Sequence, residues 1–205
     1  MTTPLKPASP DKSSRTIHLD GGEMHLHSDV LSAPDSQALY ETLQASAPWQ
    51  QARIKLFGRD VASPRLSAWF GTSPYTYSNL TWPARPWPAD LARIRTIAEA
   101  LAETRFNGVL VNLYRDGRDG MGWHSDDERE LGPEPVIASY TLGASRRFIM
   151  RHKGNKSEKI ELALPHGSLL VMRGATQRYW QHAVPKTKKP VAPRINLTFR
   201  RLFDD

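Results

Sequence analysis

The chain has 205 residues, with 28 Lys and Arg against 21 Asp and Glu, a formal charge of +7, 39% hydrophobic residues and no cysteine. That length accommodates one domain with a buried core, and the lack of cysteine excludes disulfides, thiolate metal sites and a cysteine nucleophile. With no apolar run near the length of a membrane span and no signal peptide, the expectation is an intracellular protein without a membrane partner, cytoplasmic in a bacterium or nuclear and cytoplasmic in a eukaryote.

Residues 1–15, rich in Pro, Ser, Thr and Lys, read as a disordered tail ahead of a single domain over 16–205. Apolar spacing predicts a short helix over 35–47, with Pro34 or Asp35 at its start. Strand-like pieces follow at 53–58, 65–71 and 74–77, and a Pro-rich connector spans 82–88. The end of the first piece, Leu56-Phe57-Gly58, could form a hairpin tip. Asp90 is placed to cap the clearest helix, with Leu91, Ile94, Ile97, Ala98 and Leu101 on one face.

After Phe106 the pattern changes to strands, at 109–114, 136–142, 147–152, 160–164, 168–172, 180–184 and 194–201, with turn signals such as Gly143-Ala144 between them. Segments this short and this closely spaced predict an α+β, mainly β fold. Its core is a double-stranded β-helix, or jelly roll, over 106–205, with N-terminal helices within 16–105.

Three His-x-Asp pairs occur, at His18/Asp20, His27/Asp29 and His124/Asp126, so such a pair alone is weak evidence. The third follows a strand and a loop with glycines at 117, 120 and 122, which permit the tight backbone that brings two ligands to one metal. A second histidine completes a two-histidine, one-carboxylate set, which suits iron and leaves coordination positions open. His182 on a later strand is favoured; His152 and His166 are the alternatives, the first read as exposed and the second as a structural turn residue.

On the last strand, Arg194, Asn196, Thr198 and Arg200 share one face and Ile195, Leu197 and Phe199 the other. A cationic row inside a sheet is costly unless an anion sits against it, and a guanidinium matches a carboxylate in bidentate fashion. Charge is uneven as well. Residues 1–104 carry ten basic and ten acidic side chains, and 105–205 carry 18 and 11. A basic surface around an acidic mouth is the arrangement of an enzyme that grips nucleic acid by its phosphates.

From Pro64 to the C-terminus the chain resembles the AlkB family of iron(II)/2-oxoglutarate nucleic-acid demethylases, and within it the animal members that repair N-alkylated bases. The resemblance rests on Pro64 to Gly71, Pro74 to Tyr77, Asn112-Leu113-Tyr114-Arg115, Trp123 to Glu128, Ile137-Ala138-Ser139, His166 to Leu170, Trp180-Gln181-His182 and Pro193 to Arg200. It implies Fe(II), 2-oxoglutarate and O2 as cofactor and co-substrates. It implies that His124, Asp126 and His182 hold the metal and that Asn112, Tyr114, Arg194, Asn196, Thr198 and Arg200 hold 2-oxoglutarate. Trp69, Tyr75 and Tyr77 of a nucleotide-recognition lid would stack on a flipped base, with Asp127 and Glu128 facing its cationic ring. The implied activity is oxidative demethylation of 1-methyladenine and 3-methylcytosine in DNA, single-stranded in preference, and in RNA. The alternative is an oxygenase of the same kind acting on an RNA modification or a protein side chain. A monomer is expected.

Overall fold

The computed structural model describes residues 14–56, 59–77 and 80–203. β1 (Ser14–Leu19) and β2 (Gly22–His27) form a hairpin, so the expected tail ends before Ser14; residues 1–13 lie outside the described residues. α1 (Ala33–Ser46) begins earlier than expected because Ser32 caps it, its hydroxyl accepting the Asp35 amide at 3.2 Å. β3 (Arg53–Leu56) pairs with β4 (Arg59–Ala62), and the tip residues Phe57 and Gly58 lie outside the described residues. β5 (Leu66–Gly71) precedes the small hairpin of β6 (Tyr75–Tyr77) and β7 (Leu80–Trp82).

α2 (Ala89–Ala102) starts after Pro88, and Asp90 lies in its first turn without a capping bond. Its carboxylate therefore meets the positive end of the helix dipole rather than serving as the expected cap. β8 (Gly108–Tyr114), β9 (Met121–His124), β10 (Ile137–Gly143), β11 (Arg146–His152), β12 (Lys159–Leu164) and β13 (Leu169–Gly174) follow. A single helical turn, α3 (Thr176–Tyr179), leads into β14 (Trp180–Val184), and β15 (Arg194–Arg200) closes the fold.

The strands form an antiparallel major sheet, β1-β2-β13-β10-β15-β8-β5, and an antiparallel minor sheet, β12-β11-β14-β9, the mainly β arrangement expected of a jelly roll. Three strands from before residue 106 belong to the major sheet, so the sheet crosses the expected division between lid region and core. No described helix is long and apolar enough to cross a membrane.

Alternation of side chains builds two cores from one sheet. Val109, Val111 and Leu113 of β8 and Ile195, Leu197 and Phe199 of β15 pack toward α1 and α2. Leu110, Tyr114, Ile137, Leu170 and Met172 face the other way, onto Phe148, Met150 and Leu162 of the minor sheet. β15 lies between β10 and β8, so its polar face is trapped between the two sheets and not on an edge.

Trp69, expected at the substrate, is instead a core ring only 1% exposed, stacked on Tyr75 at 4.5 Å between centroids. The reason is a slot of two glycines: Gly71 and Gly108 face each other across β5 and β8, and the indole lies over both. A Cβ added at Gly108 would fall 2.1 Å from Trp69 Cη2. Gly108→Ala should therefore overpack the slot and destabilise the fold by about 1–3 kcal/mol, lowering the melting temperature by roughly 3–10 °C. A variant melting with the parent protein would show that the indole does not occupy this slot.

Candidate metal and co-substrate site

β9 and β14 are neighbours with His124 opposite His182, which brings residues 58 apart in sequence together. The loop after β9 swings Asp126 to the same point. Ligand atoms of His124, Asp126 and His182 all lie within 4.8 Å of one another, the one such group among the described residues. His124 Nδ1 is 2.9 Å from the Gly122 carbonyl, which can only accept, so Nδ1 carries the proton and Nε2 is free to bind a metal. His182 Nε2 lies 3.8 Å from Asp126 Oδ2, and its ring stacks on Phe148.

The other candidates separate cleanly. His166 Nδ1 accepts the Gly143 amide at 2.8 Å, a turn role as expected. His152 is half-buried rather than exposed: it packs edge-on against Trp180 and accepts the Asn155 amide at 3.0 Å. The His18/Asp20 and His27/Asp29 pairs lie on and just beyond the β1–β2 hairpin and join no such group.

Protonation states suit a cation. Burial, and after it the neighbouring His124, brings His182 down to about 3, so it is neutral at pH 7. Burial works to raise Asp126, but the Arg200 guanidinium and the two imidazoles outweigh it and hold the carboxyl below the usual range. The Arg200–Asp126 pair, Nη2 to Oδ1 at 2.5 Å, is buried on both sides.

Arg194, Asn196, Thr198 and Arg200 of β15 line a pocket enclosing about 530 Å³, its open mouth included, together with Asn112, Tyr114, His124, Asp126 and His182. Arg194 and Arg200 are 1% and 3% exposed, yet Nε and Nη1 of each have no hydrogen-bond partner among the described residues. Each unsatisfied buried donor costs about 1–3 kcal/mol, so four of them facing one pocket fit an anionic ligand there. Two arginines at opposite ends of one strand, one reaching the carboxylate ligand and one reaching Thr141, fit an acid with two anionic ends. A His, His, carboxylate set beside them fits iron(II). Burial brings Arg194 down to about 10, still protonated at neutral pH, with Tyr114 opposing the shift.

Asn112 accepts from Arg65 Nε at 2.9 Å and from Ser67 Oγ at 2.8 Å through one oxygen, leaving its amino end for the pocket. Asn196 already donates to Ser139 Oγ and to the Tyr140 carbonyl, and its oxygen accepts from Thr198, so it shapes the wall through those neighbours. The sequence pattern missed Arg65. The signal was there only once β5 and β8 are paired, with Ser67 opposite Asn112. It also missed Gln177, for which no local pattern exists.

Beside Arg200, Tyr75, also expected to stack on a base, is instead fully buried and donates to Glu128 Oε1 at 3.2 Å, while Glu128 Oε2 is buried without a partner among the described residues. Burial raises the Glu128 pKa. Asp127 is exposed and ion-paired with Lys153 at 3.2 Å. The Tyr77 side chain lies outside the described residues.

Residues 23–200 match the model of the 2OG-Fe(II) oxygenase superfamily. The chain is 42% identical over 180 residues to alpha-ketoglutarate-dependent dioxygenase alkB homolog 3 of Bos taurus, covering 83% of this chain and 63% of that one. It is 44% identical over 162 residues to DNA oxidative demethylase ALKBH2 of Mus musculus, covering 74% and 67%. The chain belongs to the 2OG-Fe(II) oxygenase superfamily, in its AlkB branch. Family membership implies Fe(II), 2-oxoglutarate and O2. The chain spans less than two thirds of the length of the bovine relative. The solved structure of OsALKBH1 shares the fold, with a TM-score of 0.67 at 18% identity over 91% of this chain and 100% of that one.

A depressed histidine gives a pH prediction. As pH falls below the ordinary histidine value near 6.5, the unfolded chain takes up a proton that folded His182 refuses until about 3. Stability is thus fully present above pH 6.5 and is lost on acidification, by roughly 1 kcal/mol per pH unit, with Asp126 acting in the same direction at lower pH. Melting of metal-free protein should drop by several degrees between pH 7.5 and 5.5, and His182→Gln should flatten the slope. An unchanged slope in that variant would place the titration elsewhere.

Proposed function

We propose that the protein is an oxidative demethylase of N-alkylated bases, 1-methyladenine and 3-methylcytosine, in DNA and also in RNA, with single strands favoured. The observation that carries the reading is the His124–Asp126–His182 group, buried at Asp126 and His182, joined through Arg200 to a row of unsatisfied guanidinium nitrogens. In this reading the three residues hold iron(II). Arg194 takes the distal carboxylate of 2-oxoglutarate, supported by Tyr114 and Thr198, and Arg200 and Asn112 lie toward the chelating end.

Iron and 2-oxoglutarate would supply the oxidation: one atom of O2 ends in succinate, formed with CO2, and the other in a hydroxyl on the N-methyl carbon, which leaves as formaldehyde. The chain's own residues position, exclude water and sort by charge. Glu128 is better placed than Asp127 to read a cationic ring. Asp127 is already neutralised by Lys153, whereas Glu128 keeps one buried oxygen without a partner. A methylated cationic base would hold that carboxyl ionised, and an undamaged neutral base would not. Trp69 supports this wall from behind Tyr75 rather than stacking on the base itself.

The partner is nucleic acid, gripped through the basic C-terminal half. Lys186, Lys188 and Lys189 are phosphate contacts in this reading, on a segment tied to the metal loop by Thr187 N donating to Gly117 O at 2.8 Å. The protein acts as an intracellular monomer.

The test is release of formaldehyde and succinate from a methylated single-stranded oligonucleotide with Fe(II), 2-oxoglutarate and ascorbate. Lesion-dependent release should vanish in His182→Ala. Arg194→Met should raise the 2-oxoglutarate concentration required by roughly 30-fold or more, the effect of losing one side of a buried charge pair. Succinate formed without loss of the methyl group would keep the cofactors and reject this lesion as substrate; activity without dependence on salt would favour a protein side chain over nucleic acid.

A further inference from the structure

We infer that Gln177 is a positioning residue that fixes the metal ligand Asp126 through its backbone, with α3 as the fixture for the ligand-bearing loop. Gln177 is 1% exposed, and its Oε1 accepts the Asp126 amide at 2.9 Å. Among the described residues its Nε2 meets only the Met172 sulfur, at 3.5 Å, a weak acceptor in the pocket wall. A carboxamide buried with one poor partner costs stability that a methionine of similar size would not. What the amide provides in return is the bond to Asp126.

The neighbouring contacts make this a fixture and not a single bond. Ser125 Oγ donates to the Trp180 carbonyl at 2.8 Å, and Lys153 Nζ joins the Gln177 carbonyl, at 2.9 Å, to Asp127. Three successive loop residues are thus tied to the 177–180 segment, which runs directly into the strand bearing His182. The two parts of the metal group, far apart in sequence, are held in register through backbone and carboxamide groups that touch no metal. Such outer contacts orient ligands and govern metal affinity.

The inference rests on the metal assignment at His124, Asp126 and His182. It is tested with Mn(II) as probe, bound fraction read by electron paramagnetic resonance. Gln177→Met should weaken Mn(II) binding by about 10–100-fold, while the KM for 2-oxoglutarate at saturating Fe(II) stays unchanged. Gln177→Glu, which keeps an acceptor oxygen at the same reach, should recover most of the affinity. Binding within twofold of the parent in Gln177→Met, or equal loss in both variants, overturns the inference. In the unsubstituted protein the Asp126 amide should exchange slowly with deuterium. Exchange at the rate of an open loop overturns it even where a variant fails to fold. An unsubstituted protein that binds no Mn(II) would instead overturn the metal assignment itself.

Discussion

The ion pair between Arg200 and Asp126 is the contact on which the site depends, because it joins the two sheets at the point where the metal group forms. Arg200 ends the last strand of the major sheet, and Asp126 follows an edge strand of the minor one. Both are screened from water, so their stronger attraction is offset by the loss of hydration, but removing either partner would strand a buried charge at a cost of about 3–5 kcal/mol. The pair also sets the chemistry. It keeps Asp126 ionised against burial and holds one of its oxygens, leaving the other directed toward His182.

That pair could not sit between two purely apolar layers, and the rest of the interior shows the accommodation. β15 has one face of Ile195, Leu197 and Phe199, which lock it onto the helices, and one face of Arg194, Asn196, Thr198 and Arg200, which no hydrophobic neighbour could satisfy. Asn196, Ser139, Thr198 and Thr141 form the hydrogen-bonded wall that carries this polar face. On this face Nε and Nη1 of Arg194 and Arg200 have no hydrogen-bond partner among the described residues. On the proposed function, an anionic co-substrate bound there would return the stability given up, by linkage.

Strand positions in the C-terminal half were legible because burial on both faces or on alternate faces writes itself into β-branched and aromatic runs. The segments expected at 109–114, 147–152 and 180–184 match β8, β11 and β14 closely. The coming together of His124, Asp126 and His182 was legible for a different reason: the His124/Asp126 pair follows a strand and a glycine-bearing loop, and His182 sits in a strand while His152 and His166 border turns. What stayed hidden depended on pairing. β9 was read as loop, since Met121-Gly122-Trp123-His124 carries no alternation strong enough to announce a strand. Trp69, expected to stack on a flipped base, could not be placed in its slot because half of that slot is Gly108, distant in sequence. Arg65 and Gln177 act through partners 47 and 51 residues away, and no spacing rule encodes such contacts.

The basic character of the C-terminal half is tied mechanically to the metal loop as well as electrostatically. Arg146 is 5% exposed and has backbone carbonyls as its partners, those of Asp116 and Asp119 in the loop before β9 and that of Pro185 just after β14. One guanidinium therefore clamps the approach to His124 onto the exit from His182. Lys186, Lys188 and Lys189 begin immediately beyond Pro185, and Thr187 in their midst is bonded back to Gly117 of the same loop. On the proposed function, a phosphate drawn to those lysines would sit on a segment hydrogen-bonded to the loop before His124 and adjoining the strand of His182, which couples the grip on the nucleic-acid backbone to the placing of the base.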